Sequence, residues 1–283
     1  MQGKIDVHVH ICPPEIRLDR EPYLQEEPEF AAIYRDPAAR LAGASELIAA
    51  MDAQGVSRSV VFGFPWRQED NFRLNNDYVL EAAKRFPGRL IPFCCLDAGH
   101  PRASAEIERC LAAGARGVGE LAFYEQGLDE TVRNALTPVA ELCRTHDIPI
   151  LLHTNEPIGH AYPGKSPMTL FQLYSLIRDL PRVKWILAHG GGGLPFFGFL
   201  KKEVPAVLAN CWIDTAAFPF LYRPEVLPAL IRALGPDKLL LGTDYPLLPP
   251  SRYEQEFAQS GLSDAQLEGL FKNNAASLFQ IQA

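Results

Sequence analysis

Short apolar runs recur along the whole chain, separated by longer segments in which polar and apolar residues alternate with helical periodicity. The runs are nearly continuous in Val, Ile, Leu and Phe, which is typical of parallel strands covered on both faces. We predict strands at Ile5–His10, Ser59–Phe64, Leu90–Leu96, Gly117–Ala122, Ile148–Thr154, Lys184–His189, Cys211–Ala216 and Lys238–Asp244. Eight strands that alternate with helices predict an α/β fold, a single (β/α)8 barrel of the TIM type.

The segments between the runs place apolar residues three and four positions apart, as on one face of a helix. The segment Pro13–Gly43 is different, because it is rich in Pro, Glu and Arg and directly follows the first strand. We predict that it is an inserted loop with short helical pieces over the barrel mouth. Asp264–Phe279 is predicted to form one or two closing helices, and no linker divides the chain. Residues 1–283 are therefore predicted to form one domain.

The composition argues against two classes of binding partner, nucleic acids and membranes. The formal net charge of −7 repels a phosphate backbone, which argues against nucleic-acid binding. No apolar stretch approaches the roughly 18 residues of a membrane span. The first residues lack the basic and apolar regions of a signal peptide. We therefore expect a cytoplasmic enzyme with a small-molecule substrate and no membrane partner.

Cysteine usage agrees with a reducing compartment. The six cysteines include no C-x-x-C pair and are predicted to be reduced and mostly buried. Cys12 is the exception to watch, because it lies two residues after His10 and close to the predicted site.

Ionisable side chains cluster at the carboxyl ends of the predicted strands. They are His8 and His10 in the first strand, Glu120 in the fourth, His153 in the fifth, His189 in the sixth and Asp244 in the eighth. Strand alternation directs both histidines of the first strand to the same side, and these strand ends converge on one face of a barrel. Imidazole and carboxylate are ligands of zinc and related divalent ions. One of these histidines alone is equally well explained as a core residue, but six such groups together predict a metal site.

Four ordered motifs carry a family resemblance: IDVHVH, HTNEPIGHAYPGKSP, ILAHGGGGLPF and LLLGTDYPLLPPSRY. Together they resemble the amidohydrolase superfamily, in particular the branch that includes aminocarboxymuconate-semialdehyde decarboxylase. The resemblance covers essentially the whole chain and implies a metal-dependent enzyme with one or two ions, zinc being the expected metal. It implies that His8, His10 and His153 are metal ligands. Asp244 would contact the metal and transfer a proton, and His189 would be either a base or a ligand of a second ion.

The position of Glu120 varies within this superfamily. It can hold a carboxylated lysine, a glutamate or no ligand, and a similar glutamate bridges two metals in TatD-like nucleases. The resemblance therefore allows two metals here. The alternative is that Glu120 only pairs with a neighbouring Lys or Arg.

Candidate substrate-binding residues lie in two loops. After the second strand, Trp66 offers a face for stacking and Arg67 a fork for a carboxylate. Trp66 packed beneath its own chain is an equally good interpretation. After the fifth strand, His160 or Tyr162 is predicted to reach the substrate. Gly190–Gly193 is interpreted as a turn that lets the backbone approach the site closely.

The first functional hypothesis is hydrolysis, in which a metal-activated water attacks an amide, ester or lactone of a small organic acid. The alternatives are nonhydrolytic decarboxylation of an aromatic or unsaturated carboxylic acid, a TatD-like phosphoesterase or nuclease, and a non-enzymatic binding protein. The first two share one metal site, and release of carbon dioxide would discriminate between them. The proline-rich segment Pro246–Pro250 and the inserted loop are candidates for a subunit contact in a homo-oligomer.

Overall fold

The computed structural model describes residues 3–281, which form parallel strands arranged in chain order and surrounded by helices. The strands are β1 Lys4–His10, β2 Val56–Phe62, β3 Leu90–Pro92, β4 Val118–Leu121, β5 Pro149–Leu152, β6 Lys184–Leu187, β7 Cys211–Asp214 and β8 Leu239–Leu240. One parallel sheet contains β1 to β3, and a second contains β4 to β8. Parallel bridges from Cys94 to Val118 and from Val9 to Tyr245 join the two sheets at both edges. The predicted barrel fold is confirmed.

Helices follow the strands in the predicted alternation. They are α1 Pro14–Leu18, α2 Glu21–Glu26, α3 Pro28–Tyr34, α4 Ala44–Gln54, α5 Glu69–Arg85, α6 Ala103–Ala112, α7 Glu130–Thr145, α8 Leu170–Asp179, α9 Val204–Val207, α10 Phe218–Leu221, α11 Val226–Leu234, α12 Pro250–Phe257, α13 Asp264–Glu268 and α14 Asn274–Leu278. Thr169 and Gln172 form a capping box that fixes the start of α8. Across residues 3–281, no helix combines the length and apolar character needed to cross a membrane.

The inserted segment after β1 folds into α1, α2 and α3, as predicted. It is joined to the loop after β2 by Glu27, whose two carboxylate oxygens accept hydrogen bonds from the backbone N–H groups of Arg67 and Gln68, each at 2.9 Å. Phe30 of α3 packs on Trp66 with ring centroids 4.5 Å apart. The insert is therefore anchored to the barrel by both polar and apolar contacts.

Several strands are shorter than the apolar runs that predicted them. Strand β6 ends at Leu187 and β8 at Leu240, although their runs continue to His189 and Asp244. Both of these residues have a left-handed backbone, with φ of 53° at His189 and 58° at Asp244. Because the chain turns away from the sheet at these residues, the predicted strand ends at His189 and Asp244 are wrong.

The glycine run after β6 is a tight left-handed turn. Gly190, Gly191, Gly192 and Gly193 all have positive φ, between 60° and 87°. A Cβ atom on Gly192 would lie 2.4 Å from the backbone oxygen of Asn155, too close for any side chain. This close approach of the loops after β5 and β6 confirms the interpretation of the run as a turn.

Truncating Trp66 should lower the free energy of unfolding by about 3–5 kcal/mol, since its ring is fully buried. The Trp66→Ala change also removes the indole N–H that donates to Asn75 Oδ1 at 3.0 Å. Urea denaturation monitored by circular dichroism would measure the loss. Trp212→Ala, whose ring is only partly buried, is the matched control and should cost less. Equal losses in both variants would contradict the anchoring role of Trp66.

Candidate active site

The structure brings the six side chains of the predicted metal site together at the carboxyl end of the barrel. Glu120 lies at the centre, between two pairs of imidazoles. Its Oε2 is 3.5 Å from His8 Nε2 and 3.6 Å from His10 Nε2. Its Oε1 is 3.0 Å from His153 Nδ1 and 3.4 Å from His189 Nε2. Within residues 3–281 no Lys or Arg pairs with Glu120, so the alternative of a simple ion pair finds no partner.

Asp244 closes the cluster on the side of β8. Its Oδ1 lies 3.3 Å from His10 Nε2 and 3.7 Å from His8 Nε2. Its side chain is 19% exposed, whereas that of Glu120 is 3% exposed. Asp244 is therefore the carboxylate of the cluster that a molecule entering from solvent meets.

The electrostatics of the cluster favour charged carboxylates. Burial raises the pKa of Glu120, but His8 and His153 outweigh it and hold the pKa well below its usual range. Burial opposes ionisation of Asp244 too, yet the hydrogen bond with His10 and the proximity of His8 lower its pKa to about 2. Burial alone would lower the pKa of His8, but the carboxylates of Glu120 and Asp214 raise it well above its usual range. The barrel end is thus a place where buried negative charge needs a positive partner.

The residues present fit a divalent metal ion. His8 Nε2 is buried and has no hydrogen-bond partner, although it points towards the other ligating groups. Three combinations place their ligating atoms within 4.8 Å of one another: His8, His189 and Asp244; His8, His10 and Glu120; and Glu120, His153 and His189. A lone imidazole nitrogen surrounded by carboxylates and further imidazoles has the chemistry of a metal ligand.

Asp214, at the end of β7, is a site residue that the sequence analysis missed. Its Oδ2 lies 2.8 Å from His8 Nδ1, and its Oδ1 accepts hydrogen bonds from the backbone N–H groups of His189 and Ala216, each at 3.0 Å. It therefore fixes the ring of His8 and the turn that carries His189. The available signal was its position near the carboxyl end of the seventh predicted strand, two residues before Ala216.

Asp6 is a second missed residue, although it lies within the IDVHVH motif. Its carboxylate accepts hydrogen bonds from the hydroxyl of Thr243 at 2.6 Å and from the backbone N–H of Thr243 at 3.0 Å. Burial raises the pKa of Asp6 to about 7, although these hydrogen bonds partly oppose the effect. Asp6 thereby holds the residue that precedes Asp244 against β1.

Replacing Asp214 by Asn should weaken metal binding about 10- to 100-fold, the usual effect of losing an outer partner of a ligating histidine. The amide oxygen can still accept from the backbone of His189, which turns the amide N–H2 towards His8 Nδ1 and removes its acceptor. Competition with a chromophoric chelator would measure the affinity. Asp179→Asn, at a surface ion pair with Arg133, is the matched control. An unchanged affinity would contradict this role of Asp214.

The predicted substrate residues of the strand-2 loop are not free to bind. The ring of Trp66 is fully buried between Phe30 and Phe64, which agrees with the packed interpretation and leaves no open face for stacking. Arg67 is already paired, with its Nη2 3.1 Å from Glu29 Oε1 and 2.8 Å from Glu125 Oε2. Both residues are engaged because the inserted segment packs on this loop: Phe30 covers Trp66, and Glu29 pairs with Arg67.

The strand-5 loop borders the metal cluster. The carbonyl oxygen of Gly164 lies 2.9 Å from His153 Nε2, so this loop turns the Nδ1 atom of His153 towards Glu120. His160 is exposed, and its ring lies 5.9 Å from that of Tyr162. The Tyr162 hydroxyl donates to Glu156 Oε2 at 3.1 Å. A substrate role for His160 and Tyr162 stays a prediction.

Cys12 lies outside the metal cluster. All six cysteines are unpaired and buried, which confirms the prediction of reduced thiols. The Sγ atom of Cys12 is 3.9 Å from Asn75 Oδ1, and burial raises its pKa to about 12. Among residues 3–281, no group of ligating atoms within 4.8 Å of one another includes Cys12, so the structure gives no support for contact between Cys12 and a metal.

Three known proteins are informative for comparison. Gamma-resorcylate decarboxylase of Polaromonas sp. (strain JS666) is 23% identical over 335 residues, covering 99% of each chain. The 2-amino-3-carboxymuconate-6-semialdehyde decarboxylase of Dictyostelium discoideum is 27% identical over 224 residues, 66% of this chain and 60% of the relative. The solved dihydroxybenzoic acid decarboxylase of Polaromonas sp. JS666, with bound manganese and the inhibitor 2-nitroresorcinol, superposes with a TM-score of 0.73 at 20% identity, covering 99% and 97% of the two chains.

These relatives overturn the first functional hypothesis. The curated proteins similar to this chain over its full length are decarboxylases, so the prediction of hydrolysis of an amide, ester or lactone is wrong. The metal cluster is compatible with both hydrolysis and decarboxylation, so the ligand residues alone could not discriminate between the two reactions.

The sequence model of one family, described as Amidohydrolase (Amidohydro_2), matches residues 5–281. The match includes every member of the metal cluster and all eight strands, apart from Lys4 at the start of β1. This chain therefore belongs to the amidohydrolase family.

Proposed function

We propose that this chain is a metal-dependent decarboxylase of an aromatic carboxylic acid. The observation that carries the proposal is the complete cluster of four imidazoles and two carboxylates in a chain whose full-length relatives are decarboxylases. The dihydroxybenzoic acid decarboxylase of similar fold holds manganese and an aromatic inhibitor, which supports both the metal and the substrate class.

A divalent ion held by His8, His10, Glu120 and their neighbours would supply a Lewis acid to which an acidic aromatic substrate binds. Other groups of the chain orient the imidazole rings that would hold the ion. Asp214 orients His8 through the contact with Nδ1, and the carbonyl of Gly164 orients His153. Three of the imidazoles, those of His8, His153 and His189, are buried together with Glu120, whereas His10 is partly exposed, so water can reach the site only from its outer side.

Proton transfer is assigned to Asp244, the more exposed of the two carboxylates. Decarboxylation of an aromatic ring needs one proton at the carbon that bears the carboxylate. This proton forms the new C–H bond with a pair of ring electrons, and the C–C bonding pair returns to the ring as carbon dioxide leaves. The low pKa of Asp244 keeps its carboxylate ionised in the resting site, so the role proposed for it is to accept a proton at the solvent side and donate it to the ring carbon.

Carbon dioxide release from a panel of aromatic carboxylic acids tests the proposal. The metal-loaded protein should release carbon dioxide in a 1:1 ratio with loss of acid, and lactone and amide substrates should stay intact. Release from none of the acids with either manganese or zinc would refute it.

Chelation should abolish this activity, and one divalent ion should restore it. Both metals fit the ligands in principle, because imidazole suits zinc and carboxylate suits manganese. Zinc, the metal expected from the sequence, and manganese, the metal of the solved relative, are therefore compared in parallel. Activity that survives complete removal of metal, checked by elemental analysis, would contradict the proposal.

A further inference from the structure

A second group of ligating side chains lies away from the barrel mouth, in the layer between β3 and the helices α5 and α6. It contains Cys94, which follows β3, together with Glu106 and Cys110, which lie four residues apart on α6. The two sulfur atoms and one carboxylate oxygen all lie within 4.8 Å of one another, and all three side chains are buried. We call this group the thiol cluster. Two thiols and a carboxylate at such distances are the ligand set of zinc and other thiophilic ions.

Asn76 of α5 holds the thiol cluster in place. Its Nδ2 donates to Glu106 Oε1 at 3.0 Å and lies 3.5 Å from Cys94 Sγ. Its Oδ1 accepts a hydrogen bond from the backbone N–H of Cys95 at 2.9 Å. Cys110 Sγ donates to the same oxygen of Glu106 at 3.4 Å, because residues four apart lie on one face of a helix. The chain itself therefore brings the three ligating groups together.

The charges around the thiol cluster match those of a divalent ion. Burial alone would raise the pKa of Glu106, but hydrogen bonds from Arg109 and Asn76 outweigh it and lower the pKa, so the carboxylate is ionised. Burial raises the pKa of the Cys94 thiol well above its usual range. A bound ion replaces the protons of coordinating thiols, and these protons pass to solvent. The ion and Arg109 together then balance two thiolates and the Glu106 carboxylate, so no net charge is buried.

The thiol cluster is separate from the metal cluster at the barrel mouth. Neighbouring residues of an extended chain point to opposite sides. Cys95 faces the barrel interior, where its Sγ donates to the carbonyl oxygen of Glu120 at 3.1 Å, whereas Cys94 packs among the residues of the helix layer. In the part of the chain that the structure describes, no group of ligating atoms has members from both clusters. Sulfur ligands would therefore belong to the thiol cluster alone.

The position of the thiol cluster gives a bound ion a structural consequence. Strands β3 and β4, at the edges of the two sheets, are joined through the bridge between Cys94 and Val118. There the Cys94 N–H donates to the carbonyl of Gly117 at 3.0 Å, and the Gly119 N–H donates to the carbonyl of Cys94 at 2.8 Å. An ion bound to Cys94 and to two residues of α6 would link this helix to the junction of the sheets.

We propose that Cys94, Glu106 and Cys110 form a second metal site, which binds zinc and links α6 to the junction between β3 and β4. Three protein ligands leave the fourth position of a tetrahedral ion for a small donor such as water. The site goes beyond the proposed function and does not depend on it, because it shares no ligand with the barrel mouth.

Cobalt is the first probe, because thiolate bound to cobalt gives a near-ultraviolet charge-transfer band that imidazole and carboxylate ligands do not give. The full chain is produced in cobalt-supplemented medium, so that the buried site is loaded as the protein folds. We expect the band in the wild type and its loss in both Cys94→Ala and Cys110→Ala. Cys143→Ala removes a buried thiol of α7 that lies outside the thiol cluster, and this matched control should keep the band.

Two results would overturn the second site. One is a band of full intensity in both cluster variants, and the other is a wild type without the band although all its thiols are reduced. X-ray absorption at the zinc edge of zinc-loaded wild type adds a measurement that needs no variant. Sulfur at about 2.3 Å from zinc would support the site, whereas nitrogen and oxygen neighbours alone would refute it. Neither measurement involves decarboxylation, so failure of the proposed function would leave both results unchanged.

Discussion

The Asp244→Asn variant should lower kcat for decarboxylation by about 10²–10⁴-fold, the usual contribution of a positioned acid–base group. Asparagine has the shape of aspartate but cannot relay a proton. Asp244 is the more exposed carboxylate of the cluster, and its backbone N–H donates to the carbonyl of His8 at 3.0 Å. The amide can keep this backbone position, so the fold should be preserved.

The measurement must separate proton transfer from metal binding, because Asp244 also lies among the ligands. Rates are therefore taken at saturating metal, with metal content measured on the same sample. Asp237→Asn, on the exposed loop before β8, is the control. A variant that holds its metal and keeps the wild-type kcat would remove Asp244 from the proton path.

The Glu120→Gln variant should weaken metal binding by more than about 100-fold, beyond the effect of losing an outer partner of a ligand. Both oxygens of Glu120 face imidazole pairs, and the carboxylate is charged although it is buried. The neutral amide of glutamine lacks that charge and turns an N–H2 group towards one of the two imidazole pairs. Decarboxylation should fall with metal occupancy.

Metal content per chain, measured in parallel for wild type and Glu120→Gln, gives a second readout. Two ions that fall to one or fewer would identify Glu120 as a bridge between two ions. One ion that is retained in full would contradict its role as a ligand. Glu130→Gln, at the exposed start of α7, controls for loss of an unrelated carboxylate.

The barrel and the clustering of the candidate ligands were predictable because strand periodicity and ligand chemistry are local properties. The alternation of His8 and His10 on β1, and the repeated ending of apolar runs in ionisable residues, required no knowledge of distant contacts. Asp214 did not fit this pattern, because the seventh apolar run continues to Ala216, whereas β7 ends at Asp214. The ends of β6 and β8 could not be predicted, because a left-handed backbone at a non-glycine residue has no sequence signal.

The substrate loops were predicted less well, because their side chains are placed by the insert. The sequence around Trp66 does not indicate that Phe30 packs on its ring, or that Glu29 forms an ion pair with Arg67. The Tyr34 ring likewise meets that of Phe64, at 6.0 Å between centroids, only because α3 packs on the barrel. The prediction of the reaction type was wrong for a different reason. Hydrolysis and decarboxylation use the same set of metal ligands, so the ligand residues could not discriminate between them.

The left-handed glycine turn after β6 also limits how this protein can evolve. Every missense change in Gly190–Gly193 adds a side chain where the backbone has positive φ, and at Gly192 the new atom would collide with the neighbouring loop. The turn begins one residue after His189, so such a change should displace a candidate metal ligand as well as strain the chain. Selection can therefore vary the inserted segment after β1, while the glycine turn after β6 stays fixed in sequence.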